Sequence, residues 1–472
     1  MKRTKIVATI GPASSDKKVL KEMIQEGLNV VRLNFSHGLH EEYRRVISDV
    51  RKLDEELGTN TAILADLQGP KLRVGDMKDD GVNIEPGSEI VITTKEVLGD
   101  EKRVSTTYKQ FPRDVKAGEQ VLLDDGKLEL EVISTNGKDE VKLKVIYGGI
   151  LSSNKGINLP NTKISLPCLT KKDLEDLDFA LDQNVDWVGL SFVRSARDII
   201  ELKHIIREKE KDSKVVAKIE KPEAIDDIND IIKETDAVMV ARGDLGVEIP
   251  MQNVPLIQKM LIKKCIKNGK PVIVATQMME SMITSIRPTR AEVNDVANAV
   301  MDGSDAVMLS AETSVGKYPV QVIQAMVNIV EEVENFESIY YHESAPAESR
   351  EERFISDSVC YNACRLAKRV DAEAIITMTH SGYTAIKVSS QRPKSHIFVF
   401  TGNKKILSMM SLVWGVRAIY YDKMVSTDHT IADIKYILKK KGHIVEGDLI
   451  INIASMPISE MGMSNMVKLS KT

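Results

Sequence analysis

Cysteine is scarce. The 472-residue chain has four, Cys168, Cys265, Cys360 and Cys364, too few to build a disulfide framework in a chain of this length, and a reducing compartment is the natural setting. Cys360 and Cys364 stand at i and i+4 in a helical pattern, but no nearby His or Cys completes a tetrahedral metal set, so they read as packing residues. No apolar run reaches membrane length, and Ile6-Val7-Ala8-Thr9-Ile10 behind the basic Lys2-Arg3 is too short for a signal segment. The expected location is cytoplasmic. An excess of charge is also lacking: 65 Lys+Arg against 69 Asp+Glu leaves a net charge of −4, without the clustered positive charge that nucleic acid or an anionic membrane requires. Neither is expected as a partner. Finally, there is no Gly-x-x-x-x-Gly-Lys-Ser/Thr loop and no kinase Gly-rich loop with a His-Arg-Asp motif, so any nucleotide must be held some other way.

What is present is enough apolar sequence, 42%, to bury a sizeable core, in a chain long enough for about three domains. Eight short β-rich runs recur: Thr4 to Ile10, Asn29 to Leu33, Ala62 to Asp66, Asp186 to Ser191, Lys214 to Ile219, Asp236 to Val240, Pro271 to Ala275 and Asp305 to Leu309. Helical patterns alternate with them, from Asp16 to Glu26 through Glu223 to Glu234 and on to Pro319 to Val333. Eight βα units imply an α/β fold of the closed parallel (β/α)8 barrel type rather than an open sheet. One long stretch, 71–167, breaks the alternation with period-two segments such as Glu89 to Thr93 and Val141 to Val145 and turns such as Asn136-Gly137. It is expected to be an inserted β-barrel lid domain on a βα loop, and therefore on the catalytic face of the barrel. The barrel is then assembled from 1–70 and 168–340. A linker-like Ser344-Ala345-Pro346-Ala347-Glu348-Ser349 leads into 341–472, whose four separated strands predict a C-terminal open α/β domain.

The C-terminal ends of the eight strands carry an unusual set of side chains. Strand two ends Arg32-Leu33-Asn34-Phe35-Ser36, and period two puts Arg32, Asn34 and Ser36 on one face. Strand three ends at Asp66 and runs on through Lys71 and Arg73. Strand five ends Lys218-Ile219-Glu220, strand six enters Arg242-Gly243-Asp244-Leu245-Gly246, strand seven ends Ala275-Thr276-Gln277, and strand eight ends Ser310-Ala311-Glu312. Singly, each has a plain explanation: Asp244 as turn chemistry, Lys218 and Glu220 as an ion pair, Thr289 with Glu292 as a helix cap. Together they place carboxylates for a hard divalent cation beside several cations at one barrel mouth, which suits an anionic phosphate held with Mg²⁺. The residues point to a metal-assisted phosphoryl transferase and leave the donor open.

Over essentially its whole length the chain resembles the pyruvate kinase family. The resemblance rests on Thr4-Lys5-Ile6-Val7-Ala8-Thr9-Ile10-Gly11-Pro12, Arg32-Leu33-Asn34-Phe35-Ser36-His37-Gly38, Asn154-Lys155-Gly156-Ile157-Asn158-Leu159-Pro160, Ala217-Lys218-Ile219-Glu220, Val240-Ala241-Arg242-Gly243-Asp244-Leu245-Gly246 and Ala275-Thr276-Gln277-Met278. It implies transfer of the phosphoryl group of phosphoenolpyruvate to ADP, giving ATP and pyruvate, the final step of glycolysis. It further implies Glu220 and Asp244 as ligands of Mg²⁺ (or Mn²⁺), and Lys218, Arg32 and Thr276 as catalytic residues. Arg32, Gly243, Asp244 and Thr276 are implied to contact substrate, and Arg73 and Lys155 to serve the nucleotide. The family's K⁺ position corresponds to Asn34, Ser36, Asp66 and Leu67. Many relatives read Asp-Thr-Lys-Gly-Pro-Glu after strand three, whereas this chain has Asp66-Leu67-Gln68-Gly69-Pro70-Lys71, and an ammonium at Lys71 is expected to make K⁺ dispensable. Thr379, His380, Ser381, Gly382 and Thr384 correspond to the effector phosphate site, for a sugar phosphate or AMP, echoed by Ser459 to Asn465, where Met463 replaces a common threonine. The family is usually homotetrameric. Two rivals are a catalytically dead paralogue acting as a sugar-phosphate sensor, which predicts erosion at Lys218, Glu220, Asp244 or Thr276, and another Mg²⁺-dependent barrel such as an aldolase or lyase, which leaves Lys155 and the third domain without a role.

Overall fold

A computed structural model describes residues 2–341, 345–346, 353–423, 426–456 and 462–472. Most of the linker-like stretch from Ser344 to Ser349, and the first half of the Ser459 to Asn465 loop, lie outside the described residues. Eight strands, Lys5–Thr9, Val30–Asn34, Ala62–Asp66, Trp187–Leu190, Lys214–Ile219, Ala237–Ala241, Val272–Ala275 and Ala306–Leu309, close into a parallel barrel. They are short apolar runs because both faces are covered, by helices outside and by interior side chains within. Helix starts and ends follow local chemistry. Thr170 and Thr289 form capping boxes with Asp173 and Glu292, and Gly58 ends the helix His40–Leu57 in the left-handed conformation at φ 66°. The single helix expected over Glu223 to Glu234 is instead two, Pro222–Asp226 and Ile228–Glu234. Asp227 breaks it: its carboxylate accepts from the Ala196 N–H at 2.8 Å, fastening the next turn to a neighbouring helix.

Between Asp66 and the helix Lys171–Asp182 the chain builds a six-stranded sheet and a two-stranded sheet around a core of their own, from Leu72 to Leu159. The Glu89–Thr93 and Glu140–Tyr147 strands pair antiparallel, as their alternation predicts. The C-terminal sheet has the four parallel strands expected, plus an antiparallel edge strand, Met466–Lys471, paired to Leu449–Ala454. Mixed polar character hid that strand, because none of its residues is fully buried and only Met466 and Val467 pack on the core, one on each face.

The C-terminal domain packs on the N-terminal ends of the barrel strands. The barrel's interior layer, including Leu64, Trp187 and Met239, is continuous with Leu412 and Val413. Asp305, just before strand eight, accepts from the Arg392 guanidinium at 2.8 Å and from the Trp414 N–H at 3.2 Å. Arg392 is 1% exposed and also donates to Gly303 O at 2.8 Å. Removing one member of a buried pair strands the other's charge, at a cost of about 3–5 kcal/mol. Arg392→Leu is therefore expected to lower the calorimetric unfolding temperature and to separate unfolding of the C-terminal domain from that of the barrel; an unchanged single transition would contradict this.

Candidate functional site

The barrel register brings the polar strand ends together. Asn34 lies beside Asp66 in the ladder, and Thr9 beside Arg32. Arg32 donates through Nε to Asp66 Oδ2 at 2.7 Å and through a terminal nitrogen to Thr9 Oγ1 at 2.8 Å. From the other side of the mouth, Lys218 Nζ lies 3.2 Å from Asp66 Oδ1 and 2.8 Å from Glu220 Oε1, and donates to Ser191 Oγ at 2.6 Å. Asp66 Oδ1 meets that ammonium outside hydrogen-bonding geometry, so this contact is charge on charge. Glu220 Oε2 accepts from the Phe192 N–H at 2.7 Å. Two cations and two carboxylates thus form one connected buried network.

Its electrostatics follow from burial set against pairing. Burial alone would raise the Asp66 carboxyl, but Lys218 and Arg32 outweigh it and hold it below the ordinary carboxylate value. Burial alone would lower the Lys218 ammonium, but Asp66 and Glu220 outweigh it and hold it above the ordinary lysine value, so it is charged at any physiological pH. Glu220 goes the other way: burial raises its carboxyl, Lys218 only partly offsets this, and the nearby Asp244 charge adds to the rise. The Glu220–Asp244 pair is therefore short of positive charge. Two hard carboxylate oxygens in that condition fit Mg²⁺, which takes few protein carboxylates and keeps positions for water and phosphate. Among the described residues no larger cluster of His, Cys, Asp or Glu could hold a metal.

The opposite rim is built by strands six and seven. A short helix, Arg242–Glu248, starts as strand six ends, and the Gly243 N–H donates to Thr276 Oγ1 at 2.7 Å. Thr276 in turn donates to Ala275 O at 2.5 Å. Thr276, Gln277 and Phe192 all have left-handed backbone, at φ 70°, 53° and 55°, which costs non-glycine residues of order 1–3 kcal/mol each and clusters at functional sites. Opposite them, Lys71, Asp125 and Asn158 of the insertion face Asp244 across a cleft that reaches Thr276.

Other expected residues are placed less directly. Arg73 donates to Asn154 O at 2.7 Å and Lys155 pairs with Asp124 at 2.9 Å, both contacts within the insertion. Asn34 Oδ1 accepts from the Ser36 N–H at 3.2 Å, and Leu67 O accepts from Ser191 Oγ at 2.7 Å. Lys71 is exposed in the cleft. Burial, and then the charges of Lys71, Arg73, Arg32 and Lys172, lower the His37 imidazole. In the C-terminal domain, the Thr379 hydroxyl accepts from the Gly382 N–H at 3.0 Å, Gly382 at φ 83° begins the helix Tyr383–Ser390, and the His380 carbonyl accepts from Asn403 at 3.2 Å. The Ser381 hydroxyl accepts from the Tyr383 N–H at 3.4 Å, and the buried Thr384 hydroxyl bonds Ser464 at 2.8 Å. Sequence reasoning missed Thr9, Ser191 and the Phe192 N–H. The first two end strands one and four, and asking the same strand-end question of those strands would have found them.

Two family models match the chain: "Pyruvate kinase, barrel domain" over residues 1–323 and "Pyruvate kinase, alpha/beta domain" over residues 357–470. Curated proteins named pyruvate kinase from Staphylococcus aureus strains MRSA252 and N315 are each 42% identical over 99% of this chain and 80% of their own length. A solved structure of a pyruvate kinase from Cryptosporidium parvum superposes with a TM-score of 0.93 at 34% identity, covering 100% of this chain and 96% of that one.

The Asp66 carboxyl sits below its ordinary value of 3.8 in the fold. It therefore contributes stability that is fully present above that value and is lost as the pH falls through the lower folded value. Asp66→Asn is expected to destabilise the protein at neutral pH by on the order of 3 kcal/mol, because Arg32 and Lys218 lose a shared partner. It should also flatten the acid limb of unfolding temperature against pH. Parallel acid limbs for the two proteins would rule this out.

Proposed function

The chain belongs to the pyruvate kinase family and is a phosphotransferase, and from that premise we propose how its barrel mouth moves the phosphoryl group of phosphoenolpyruvate to ADP, giving ATP and pyruvate. The observation that carries the reading is the Lys218 ammonium, fixed in place by Asp66, Glu220 and Ser191, with the two carboxylates raising its pKa. An ammonium held in this way acts as a fixed positive field, stabilising charge that develops on the phosphoryl and enolate oxygens. Arg32, braced by Asp66 and Thr9, presents its guanidinium to the phosphate. Glu220 and Asp244 would hold Mg²⁺ (or Mn²⁺), whose chemistry there is neutralisation of phosphate and carboxylate charge. Gly243 and Asp244 contact the substrate with Thr276. Since the Thr276 hydroxyl already donates to Ala275 O, Thr276 orients substrate and water and is not itself the acid that protonates enolpyruvate. Arg73 and Lys155 bring the nucleotide in from the insertion, which acts as a lid.

Lys71 takes over the role of the monovalent cation beside Asn34, Ser36, Asp66 and Leu67. In the C-terminal domain, Thr379, His380, Ser381, Gly382 and Thr384 receive the phosphate of an effector, a sugar phosphate or AMP, at the start of the helix Tyr383–Ser390. Coupling of that site to the barrel is expected in a cytoplasmic homotetramer.

In a coupled assay for pyruvate, Lys218→Met is expected to lose at least about 10²–10³-fold in kcat with a smaller change in KM; rates equal to wild type would refute the mechanism. Turnover in K⁺-free and K⁺-containing buffer is expected to match, and a large K⁺ stimulation would remove Lys71 from its role. Fructose 1,6-bisphosphate, ribose 5-phosphate or AMP is expected to convert a sigmoidal phosphoenolpyruvate curve towards a hyperbola in the wild type but not in Thr384→Ala. Absence of any response to all three would dismiss the effector site.

A further inference from the structure

One buried carboxylate outside the catalytic network gathers three segments that carry function. Glu248 ends the short helix Arg242–Glu248 that bears Gly243 and Asp244. Its Oε1 accepts from the Lys221 ammonium at 2.6 Å and from Asn158 Nδ2 at 2.8 Å. Lys221 directly follows Glu220 in the chain. Asn158 belongs to the insertion, on the strand Ile157–Asn158 just after Lys155, and this strand pairs with Leu122–Leu123 next to Asp124, the partner of Lys155. A single oxygen of Glu248 therefore ties the lid to both loops that carry the carboxylates of the proposed cation site.

The pair is not a surface decoration. The Lys221 and Glu248 side chains are 6% and 1% exposed, and two ions withdrawn from water are costly unless their geometry is good. The Lys221 ammonium also lies 5.8 Å from the ring centroid of Phe192, whose N–H holds Glu220. Glu248 Oε2, by contrast, is buried without a hydrogen-bond partner. The carboxylate is thus anchored through one oxygen, and the other remains an unused acceptor. Asn158 and Lys221 both line the cleft between insertion and barrel, together with Asp244.

We infer that Glu248 is a latch for the inserted domain, a positioning residue that sets the distance between the Lys155 segment of the lid and the Glu220 and Asp244 loops. The inference rests on the proposed reading that Lys155 serves the nucleotide and that Glu220 and Asp244 serve the cation. It assigns a part to three residues, Asn158, Lys221 and Glu248, that touch neither substrate in that reading. A latch of this kind acts on the substrate carried by the lid and spares the one bound at the barrel mouth.

The test uses the full-length enzyme, with KM for ADP and for phosphoenolpyruvate and kcat measured for Asn158→Ala, Asn158→Asp, Glu248→Gln and the double variant Asn158→Ala/Glu248→Gln, alongside unfolding temperatures. Loss of one charge-assisted hydrogen bond is expected to raise KM for ADP about tenfold in Asn158→Ala. Asn158→Asp, which sets a second carboxylate against Glu248, is expected to raise it further, with KM for phosphoenolpyruvate within about twofold of wild type in both. The double variant should be no worse than the worse single variant, the non-additivity of residues acting as a unit. A KM for ADP unchanged in Asn158→Asp, or both KM values rising together with a fall in unfolding temperature, would overturn the latch while leaving pyruvate formation by the wild type intact. Failure of the wild type to form pyruvate from phosphoenolpyruvate and ADP would instead overturn the reading beneath it.

Discussion

The rest of the structure depends on keeping the Arg32, Asp66, Lys218 and Glu220 charges buried together at the mouth of the barrel. Each ion on its own would cost several kcal/mol to withdraw from water, and the four are tolerable only because opposite charges sit about a hydrogen bond apart. That spacing leaves no slack in the scaffold. Asp66 must stand between two cations arriving from strands two and five, and this happens only where the ladder aligns Asn34 with Asp66 and Gly189 with Asp66. A closed barrel of short, doubly covered strands supplies such alignment rigidly. The network is also unbalanced by design, for Lys218 is held charged while Glu220 is left in deficit of positive charge.

The two added domains occupy opposite ends of that scaffold. The insertion leaves strand three just after Asp66 and hangs over the charged mouth, with a core that owes nothing to the barrel. The C-terminal domain closes the other end, where the barrel's interior layer runs into Leu412 and Val413 and where Arg392 is buried against Asp305. The lower junction combines apolar contact with a buried ion pair, whereas the upper junction includes the polar contact of Asn158 with Glu248.

Much of this was legible in the chain. The eight apolar runs are nearly the observed strands, because a strand buried on both faces must be apolar throughout. The residues at or just beyond their C-terminal ends, Arg32, Asp66, Lys218, Glu220, Asp244 and Thr276, stand out because polar and charged groups at the end of an apolar run must face an opening. The helix break at Asp227 and the edge strand Met466–Lys471 were not legible. The first depends on a hydrogen bond to the distant Ala196, and the second has a burial pattern too mixed to announce itself.

What the sequence determined by itself, then, is the barrel, the place of the insertion, the family, and the side chains that end the strands, since all of these are written in local period and in motif. Tertiary structure alone decided who meets whom: that Lys218 is shared between Asp66, Glu220 and Ser191, that a strained Phe192 offers its N–H to Glu220, and that Asn158 and Lys221 converge on Glu248. Pairing is a matter of distance through space. A chain encodes its own neighbours along the backbone, but the distance between strand ends is fixed only when the barrel closes and its register is set.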